Sequence, residues 1–326
     1  MIGSRIKEEL RIPALLVLFV ASSGAFAQTW PTRPVRIVSF FVAGSPADAL
    51  ARLVAQKVSE SVGQPVVVDV QAGAGGLLAA QTVARAQPDG QTLLVTISTT
   101  LTTTPHLVKD NQLGLKDFQP VIIMAKAATC MVGATSFKPN NAKEMLDFVK
   151  ANPGKVAYGS NGVGGTYHLE MEMLKAKHNL DIIHVPYKGG TDGLAASAAG
   201  TIPISFAPCS SVTPLAKAGK VKYLAVLEMK RSPEFPDIPA MGELIPDYEK
   251  INGGTDVWAP AATPPAVVAK IRDEIDRALQ LPDVRKRMSE IGFPYNGTSR
   301  EAMLAERTKD FDTAGRAVKI AGLKAE

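Results

Sequence analysis

Three short stretches combine glycine with serine, threonine or other small residues at points where a helix can begin. They are residues 41–48, 71–76 and 159–166. Glycine lets a ligand approach the backbone, and the first turn of a helix has amide groups without an intrahelical partner. Such turns can bind an anion through their N–H donors. One glycine-rich turn alone is typical of an ordinary tight turn, but three of them favour a binding site.

The energies require several of these turns to act together. Micromolar affinity corresponds to about 8 kcal/mol, whereas one hydrogen bond to a charged group contributes about 1.5–3 kcal/mol. A carboxylate bound by two or three loops is therefore feasible, and one bound by a single loop is not.

The first stretch also predicts a helix start, with Ser45 at the N-cap, Pro46 at the first helical position and Asp48 two residues later. This spacing favours Asp48 as a capping acid, with a ligand contact as the alternative. His168 follows the third stretch, and a ligand contact and a bond to a backbone carbonyl are equally compatible with its position.

The remaining polar candidates have more ordinary interpretations. His184 lies in an apolar run and is expected in the core, whereas His106 and His178 are expected at the surface. Lys188 follows a strand and could pair with a carboxylate, although exposed lysines are common. Tyr187 is better suited to packing, with one contact through its hydroxyl.

Enzyme motifs do not fit these stretches. Residues 158–162 (YGSNG) lack the first glycine of the Gly-x-Ser-x-Gly nucleophile turn. Leu78 stands where a dinucleotide-binding turn beginning at Gly73 needs its third glycine. We therefore expect no catalytic residues, with an exported serine hydrolase using Ser160 and a histidine as the alternative.

The cysteines and histidines predict neither a metal site nor a cofactor. Cys130 and Cys209 are the two cysteines, and no clustered Cys/His pattern surrounds them. Two buried free thiols are the favoured interpretation, although an oxidising compartment would permit a disulfide.

Strand-like runs alternate with amphipathic helical patterns through most of the chain, which favours an α/β fold with largely parallel sheets. Nine strands exceed a typical sheet, so two α/β lobes are expected. Two further helices are predicted at residues 264–280 and roughly 299–318. The predicted strands are Val35–Phe41, Val66–Val70, Thr92–Ile97, Val121–Met124, Thr129–Ala134, Val156–Gly159, Ile182–Val185, Ile202–Phe206 and Tyr223–Leu227.

The amino-terminal residues have the pattern of a secretory signal peptide. A basic start (Arg5, Lys7, Arg11) precedes a short apolar run at residues 14–21 and a small-x-small site ending at Ala27. The run is shorter than the ~20 residues that span a bilayer. We therefore expect cleavage near Ala27 and a mature protein that works outside the cytoplasm.

Composition supports a globular protein with a hydrophobic core. The chain has 326 residues, 46% of them hydrophobic, and a net charge of +5 without a basic run. Nucleic acid is therefore excluded as a partner. The mild positive charge favours an anionic ligand weakly, and we expect a monomer.

Many short stretches, in order along nearly the whole mature chain, resemble the substrate-binding proteins of tripartite tricarboxylate transporters, the Bug family of periplasmic receptors. Each stretch alone is weak, and the set is specific. They are residues 30–38 (WPTRPVRIV), 50–52 (LAR), 63–68 (GQPVVV), 73–76 (GAGG), 88–90 (PDG), 158–160 (YGS) with Gly162, Gly164 and His168, 184–189 (HVPYKG), 218–220 (AGK), 259–260 (AP) and 263–264 (TP).

The resemblance implies a two-lobed periplasmic-binding-protein fold of type II, with two α/β domains joined by two crossover segments. Lobe 1 would comprise residues 28–125 and 222–326, and lobe 2 residues 126–221. A small organic carboxylate would bind between the lobes and pass to a membrane permease of the tripartite tricarboxylate type. A carboxylate sensor of the same fold, without a transport role, is the alternative.

The resemblance also implies the residues that line the cleft. Those of lobe 1 are Phe41, Ala43, Gly44, Ser45, Asp48, Gly75, Gly76, Ser98 and Thr99. Those of lobe 2 are Ser160, Gly164, Gly165, Thr166, His168, Tyr187, Lys188 and Ala207.

The chain departs from the family pattern at several of these positions. Ala207 stands where many members have an aspartate, and Gly165 replaces a usual hydroxyl residue. Gly254 occupies a position of tryptophan, and Asp256 a position where glycine is common. These departures affect the expected ligand more than the expected fold.

Overall fold

The computed structural model describes residues 30–109 and 111–325. The predicted signal peptide and its cleavage site near Ala27 lie outside the described residues. Within the described residues, none of the helices combines the length and the apolar character needed to cross a bilayer.

Ten strands within the described residues form two five-stranded sheets. The strands are β1 (Val35–Ser39), β2 (Val66–Val70), β3 (Thr92–Ile97), β4 (Phe118–Ala125), β5 (Thr129–Ala134), β6 (Ala157–Ser160), β7 (Ile183–Pro186), β8 (Ile204–Pro208), β9 (Val221–Val226) and β10 (Thr255–Pro260).

Eleven α-helices connect and cover these strands in the described part of the chain. They are α1 (Pro46–Val62), α2 (Leu77–Ala84), α3 (Thr99–Thr102), α4 (Ala142–Ala151), α5 (Thr166–His178), α6 (Gly190–Ala198), α7 (Cys209–Lys217), α8 (Met241–Leu244), α9 (Pro265–Gln280), α10 (Pro282–Glu290) and α11 (Arg300–Ile320).

The two sheets have equivalent strand orders, β2-β1-β3-β10-β4 and β7-β6-β8-β5-β9. In each sheet four strands run in one direction, and the strand in the fourth position, β10 or β5, runs antiparallel to both neighbours. The predicted α/β class with two sheets is therefore confirmed, and each sheet additionally contains one reversed strand. The reversed strands are those that follow the passages of the chain between the sheets.

The sequence predicted nine of the strands and missed β10. Three predictions, for β2, β3 and β5, match the observed bounds. All six residues of β10 are buried, so the alternation of polar and apolar residues that marks a half-buried strand is absent. Asp256 in this strand is buried together with Arg307 of α11, a pairing that the local sequence does not indicate.

Helices cover both faces of each sheet. Helices α1 and α9 pack on one face of the first sheet, and α2 packs on the other. In the second sheet, α4 and α5 cover one face, and α6 and α7 cover the other. The carboxyl edges of both sheets, where most of the strands end, are left to the connecting loops.

The second sheet extends further along the chain than the resemblance implied. Strand β9 begins at Val221 and pairs with β5, and Met241 and Tyr248 pack in the core of the second sheet. The chain therefore returns to the first sheet through residues 249–254, here named the return crossing, and not at residue 222. The residues of β9 indicate a strand but do not indicate which of the two sheets this strand joins.

A disulfide joins Cys130 of β5 to Cys209 at the start of α7, with 5.1 Å between their Cα atoms. Both side chains are fully buried, as predicted. The favoured interpretation of two free thiols is wrong, because β5 and β8 are neighbouring strands and bring the two cysteines together. This pairing across 79 residues could not be read from the sequence.

The two sheets are also joined by packing between α5 and α11. Leu169 and Met173 of α5 form one apolar cluster with Ala314 and Ala317 of α11, and Ile251 of the return crossing completes it. One apolar contact between the two halves therefore lies beside the return crossing.

Candidate ligand-binding site

A cavity of about 240 Å³ lies between the carboxyl edges of the two sheets. Phe41 and Ile97 line it from the first sheet, and Asn161 and Pro208 line it from the second. Each residue stands at or just after the end of a parallel strand, the position at which open α/β sheets bind ligands. The predicted convergence of loops from two facing halves on one gap is therefore present.

The passages between the sheets form the rest of the lining. The residues from these passages and the neighbouring segments are Ala125, Lys126, Ala127, Leu227, Glu228, Lys250, Ile251, Gly253, Gly254 and Phe293. Thr129, Thr166, Tyr167, Glu170 and Thr255 supply the remaining side chains.

The first loop forms the helix start that its sequence predicted. The Ser45 hydroxyl accepts a hydrogen bond from the Asp48 amide at 3.3 Å, which caps α1. Asp48 is 2% exposed, and its Oδ2 accepts bonds from the Gly44 amide and from Arg52, both at 2.9 Å. Burial opposes ionisation, but the bonds from Arg52 and Gly44 outweigh it and lower the pKa of Asp48. Asp48 therefore stabilises the loop as a capping acid.

The glycine-rich loops were expected to bind an anion through their backbone amides. Many of these amides instead donate hydrogen bonds to acceptors within their own loops. The donors and acceptors are Gly44 to Asp48, Ser45 to Val42, Gly76 to Gly73, Gly164 to His168 and Gly165 to Gly162. A buried loop must satisfy its backbone groups, and these loops do so internally. Contacts with an anion would therefore have to come from other donors at this edge.

The second glycine-rich loop packs against threonine side chains and does not line the cavity. The hydroxyl of Thr100 donates to the Gly75 carbonyl at 2.9 Å. Gly76 has a φ of 93°, and a Cβ there would lie 2.4 Å from the same hydroxyl. Ser98 donates to the Asn252 carbonyl at 3.0 Å and so fixes the return crossing. Thr99 begins α3 and does not line the cavity either.

The third loop contributes Asn161 and Thr166 to the cavity. Asn161 Oδ1 accepts from the Tyr167 amide at 3.3 Å, and a Cβ at Gly165 would lie 2.4 Å from that oxygen. Because residue 165 is glycine, it leaves room for the side chain of Asn161. A Cβ at Gly164 would lie 2.7 Å from Leu107, which follows α3, so the loop contacts the other half of the molecule.

His168 and His184 form a stacked pair behind this loop, with 4.0 Å between their ring centroids. The Gly164 amide donates to His168 Nδ1 at 3.1 Å, so His168 accepts from the backbone instead of donating to it. Burial, followed by the proximity of His168, lowers the pKa of His184 to about 4. His184 is partly buried. Because its pKa lies well below 7, the side chain is neutral at pH 7.

Ser160 lies 2.6 Å from His184, measured from Oγ to Nε2. This is the distance that a nucleophile and its base require. However, Ser160 is 1% exposed, does not line the cavity, and accepts a further bond from the Gly162 amide at 3.1 Å. A substrate in the cavity would therefore not reach the hydroxyl.

The other predicted residues do not line the cavity. The ring of Tyr187 packs on Gly159, where a Cβ would come within 2.9 Å of it. Ala207 is fully buried opposite Cys130 in the sheet. Lys188 and Ala43 are exposed. Of the predicted ligand-binding residues, the cavity brings together Phe41 and Thr166.

Sequence reasoning missed the charged side chains of the cavity. Lys126 pairs with Glu306 of α11, and Lys250 pairs with Glu228, each at 2.5 Å. Glu170 of α5 is the remaining charged residue of the lining. The charged lining residues come from four separate segments, so only the fold brings them together: Lys126, Glu170, Glu228 and Lys250. Their two positive and two negative charges do not give the cavity a positive field.

Glu170 is the acid of the lining with the most perturbed environment. Its Oε2 accepts from the Tyr248 hydroxyl at 2.5 Å, and its Oε1 accepts from the Ile251 amide at 3.0 Å. Burial raises the pKa of Glu170 to about 7, although both hydrogen bonds favour the charged form.

A fully buried ionic network lies behind the return crossing. Arg307 donates to Asp256 at 2.7 and 2.8 Å and to Asp310 at 2.9 Å. Asp310 also accepts from the Asn252 amide at 3.0 Å. A Cβ at Gly254 would lie 2.5 Å from Arg307 Nη2. The residues at these two positions therefore have a structural reason, because Asp256 compensates the arginine and Gly254 leaves room for it.

Comparison with known proteins identifies similar chains. A family model described as a tripartite tricarboxylate transporter family receptor matches residues 50–318. A UPF0065 protein of Bordetella pertussis is 36% identical over 299 residues, which cover 90% of this chain and 91% of that protein.

Two solved structures with carboxylates are similar as well. A protein of R. palustris with adipate is 29% identical, with a TM-score of 0.73 over 91% of this chain and 100% of that one. MatC from Rhodopseudomonas palustris with bound malate is 27% identical, with a TM-score of 0.69 over 88% of this chain and 99% of that one.

Proposed function

The chain belongs to the tripartite tricarboxylate transporter receptor family, and from this premise we propose that it captures a small organic carboxylate between its lobes and delivers it to a tripartite tricarboxylate-type permease. The mature protein would act in the periplasm after cleavage near Ala27, as a monomer and without catalysis. The protein would bind and release its ligand reversibly, without a covalent step.

The observation that carries this proposal is the position of the cavity. It lies between the carboxyl edges of both sheets and is lined from both. Its volume of about 240 Å³ corresponds to roughly eight water molecules at ~30 Å³ each, which suits a small organic acid. The adipate and malate complexes of the two relatives support a carboxylate as the ligand.

Binding would act through contacts with both halves. Phe41 of the first half and Asn161 and Thr166 of the second line the same space, so a ligand that contacts them stabilises the closed arrangement. A ligand shifts a conformational equilibrium by its difference in affinity for the two states. The permease would recognise the closed form. The other predicted site residues would shape the loops around the ligand.

A thermal-shift screen of the mature protein against mono-, di- and tricarboxylates tests the proposal. At a concentration of 100 times Kd, a ligand stabilises the folded state by about 2.7 kcal/mol, so at least one acid should give a saturable rise in Tm. Phe41→Ala should weaken binding of that acid by at least about tenfold. Val42→Ala is the matched control, because Val42 is 67% exposed and does not line the cavity.

A flat response to the whole acid panel would contradict the proposal. Transport is tested separately, since a sensor of the same fold would also bind: a strain without this chain should lose uptake of the identified acid.

The hydrolase alternative rests on the distance of 2.6 Å between Ser160 and His184. The burial of Ser160 speaks against it, and we expect no hydrolysis of p-nitrophenyl esters. Ester hydrolysis that disappears in Ser160→Ala would support the enzyme instead.

A further inference from the structure

Glu170 differs from the other charged side chains of the cavity because it takes part in no ion pair within the described residues. Lys126 and Lys250 each pair with a glutamate. Glu170 has hydrogen bonds from Tyr248 and Ile251 instead. Glu170 is 4% exposed and lines the cavity.

The carboxylate of Glu170 retains capacity for a ligand. An ionised carboxylate offers about four acceptor positions, and the protein uses two of them. A hydroxyl or ammonium group of a ligand could therefore donate to Glu170 without displacing Tyr248 or Ile251. A second carboxylate at the same place would meet a like charge in a water-poor environment, where repulsion is strong.

The groups around Glu170 do not cancel this repulsion. Lys250 is compensated by Glu228 at 2.5 Å. Burial raises the pKa of Tyr167 to about 12, so this neighbour is neutral. Tyr248 is neutral too, because burial and then Glu170 itself raise its pKa.

Resting on the proposed function, we propose that Glu170 makes the cavity selective for monocarboxylates whose far end carries a hydrogen-bond donor, a hydroxyl or an ammonium group. Dicarboxylates of the same chain length are disfavoured by the charge of Glu170. Selectivity of this kind combines an attractive contact with the right ligand and repulsion of the wrong one.

The preference depends on pH because burial raises the pKa of Glu170 to about 7. Above this pH the side chain is charged and disfavours a second carboxylate. Below it, the protonated side chain donates a hydrogen bond, and the penalty against dicarboxylates falls. Lys250, Glu228, Tyr167 and Tyr248, which surround Glu170, do not change the direction of this effect, since the lysine and glutamate are paired and the tyrosines are neutral.

Titration calorimetry on the mature protein at pH 8.5 tests the inference with hexanoate, 6-hydroxyhexanoate, 6-aminohexanoate and adipate, which share six carbons. The hydroxy and amino acids should bind at least about tenfold more tightly than adipate, with hexanoate between them. In Glu170→Gln the ratio should fall to about threefold or less, mainly because adipate binds more tightly. Glutamine can accept from Ile251 and keep a bond to Tyr248, so the variant preserves the shape of the site.

Glu172→Gln is the matched control, since Glu172 lies on the same helix, pairs with Lys175 at 2.7 Å and does not line the cavity. It should leave the ratio unchanged. If Glu170→Gln fails to fold, wild-type titrations decide: the disadvantage of adipate should shrink at least about threefold between pH 8.5 and pH 6.

The outcomes separate this inference from the proposed function. Tight binding of adipate at pH 8.5 with a ratio unchanged in Glu170→Gln overturns the role of Glu170 and leaves carboxylate capture intact. If six-carbon acids do not bind, 4-hydroxybutyrate, 4-aminobutyrate and succinate replace them in the same comparison. Absence of binding by all of these acids and by the wider acid panel overturns both.

Discussion

The two sides of the cavity bury ionisable groups in opposite ways. Behind the return crossing, Arg307 is fully buried between Asp256 and Asp310, and the charges compensate one another. On the second-sheet side, Glu170 is buried and His184 is partly buried, both beside hydrogen-bonding groups. Burial raises the pKa of Glu170 to about 7 and lowers the pKa of His184 to about 4. The side behind the return crossing, here called the first side, keeps its charged groups ionised by pairing them. The second-sheet side, here called the second side, favours the neutral forms of Glu170 and His184.

This difference follows from the cost of removing a charge from water. An ion pair offsets that cost when its geometry is good, whereas an unpaired acid or histidine shifts its pKa toward the neutral form. Burial raises the pKa of Asp310 even here, although Asn252 and Arg307 oppose the shift. The comparison predicts that the first side is sensitive to the loss of a partner and the second side is sensitive to pH.

Replacing Arg307 should have the largest effect on stability. Arg307→Met leaves Asp256 and Asp310 buried without their cation, and breaking a buried pair in this way costs about 3–5 kcal/mol. Urea unfolding measures the free energy. Arg316→Met is the matched control, because Arg316 lies on the same helix, is half exposed and pairs with Glu249, and exposed pairs contribute at most about 1 kcal/mol. Equal losses in the two variants would contradict the comparison.

The sequence predicted the elements on both sides better than their contacts. Strands β2, β3 and β5 and the capped start of α1 follow from local patterns of apolar, β-branched and capping residues. Asp256 and Arg307 are 51 residues apart, and Cys130 and Cys209 are 79 apart. Such pairs depend on which strands become neighbours, which local patterns do not encode.

The candidate site was predicted in position but only partly in composition. Glycine-rich loops do meet at the carboxyl edges of the sheets, and Phe41 and Thr166 line the cavity. The sequence could not show that the amides of Gly44 and Gly164 donate to side chains of their own loops. Glycine indicates where the backbone can turn, but not which acceptor its amide will face.

Glu170 on the second side should make the free energy of unfolding depend on pH. The pKa of Glu170 is about 7 in the folded chain, above its ordinary value of 4.5, so the stability that it contributes is fully present below pH 4.5 and is lost as the pH rises through 7. The stability of the wild type relative to Glu170→Gln should therefore fall by up to about 3 kcal/mol between pH 4.5 and pH 8.

Urea unfolding of both chains at several pH values measures this difference. His184 contributes with the opposite sign, since its lowered pKa adds stability as the pH rises from about 4 to 6.5. It is present in both chains and cancels. Parallel stability curves for the wild type and Glu170→Gln would show that Glu170 titrates as an ordinary glutamate.

The smallest predicted effect separates two adjacent glycines of the return crossing. A Cβ at Gly254 would lie 2.5 Å from Arg307 Nη2, whereas a Cβ at Gly253 would meet nothing within 4 Å. A guanidinium can usually move aside, but this one is fixed by two bonds to Asp256. Gly254→Ala should therefore cost about 1–3 kcal/mol through overpacking, and Gly253→Ala should stay within about 0.5 kcal/mol. Equal unfolding free energies for the two variants would mean that Arg307 yields, and that pairing does not make the first side rigid.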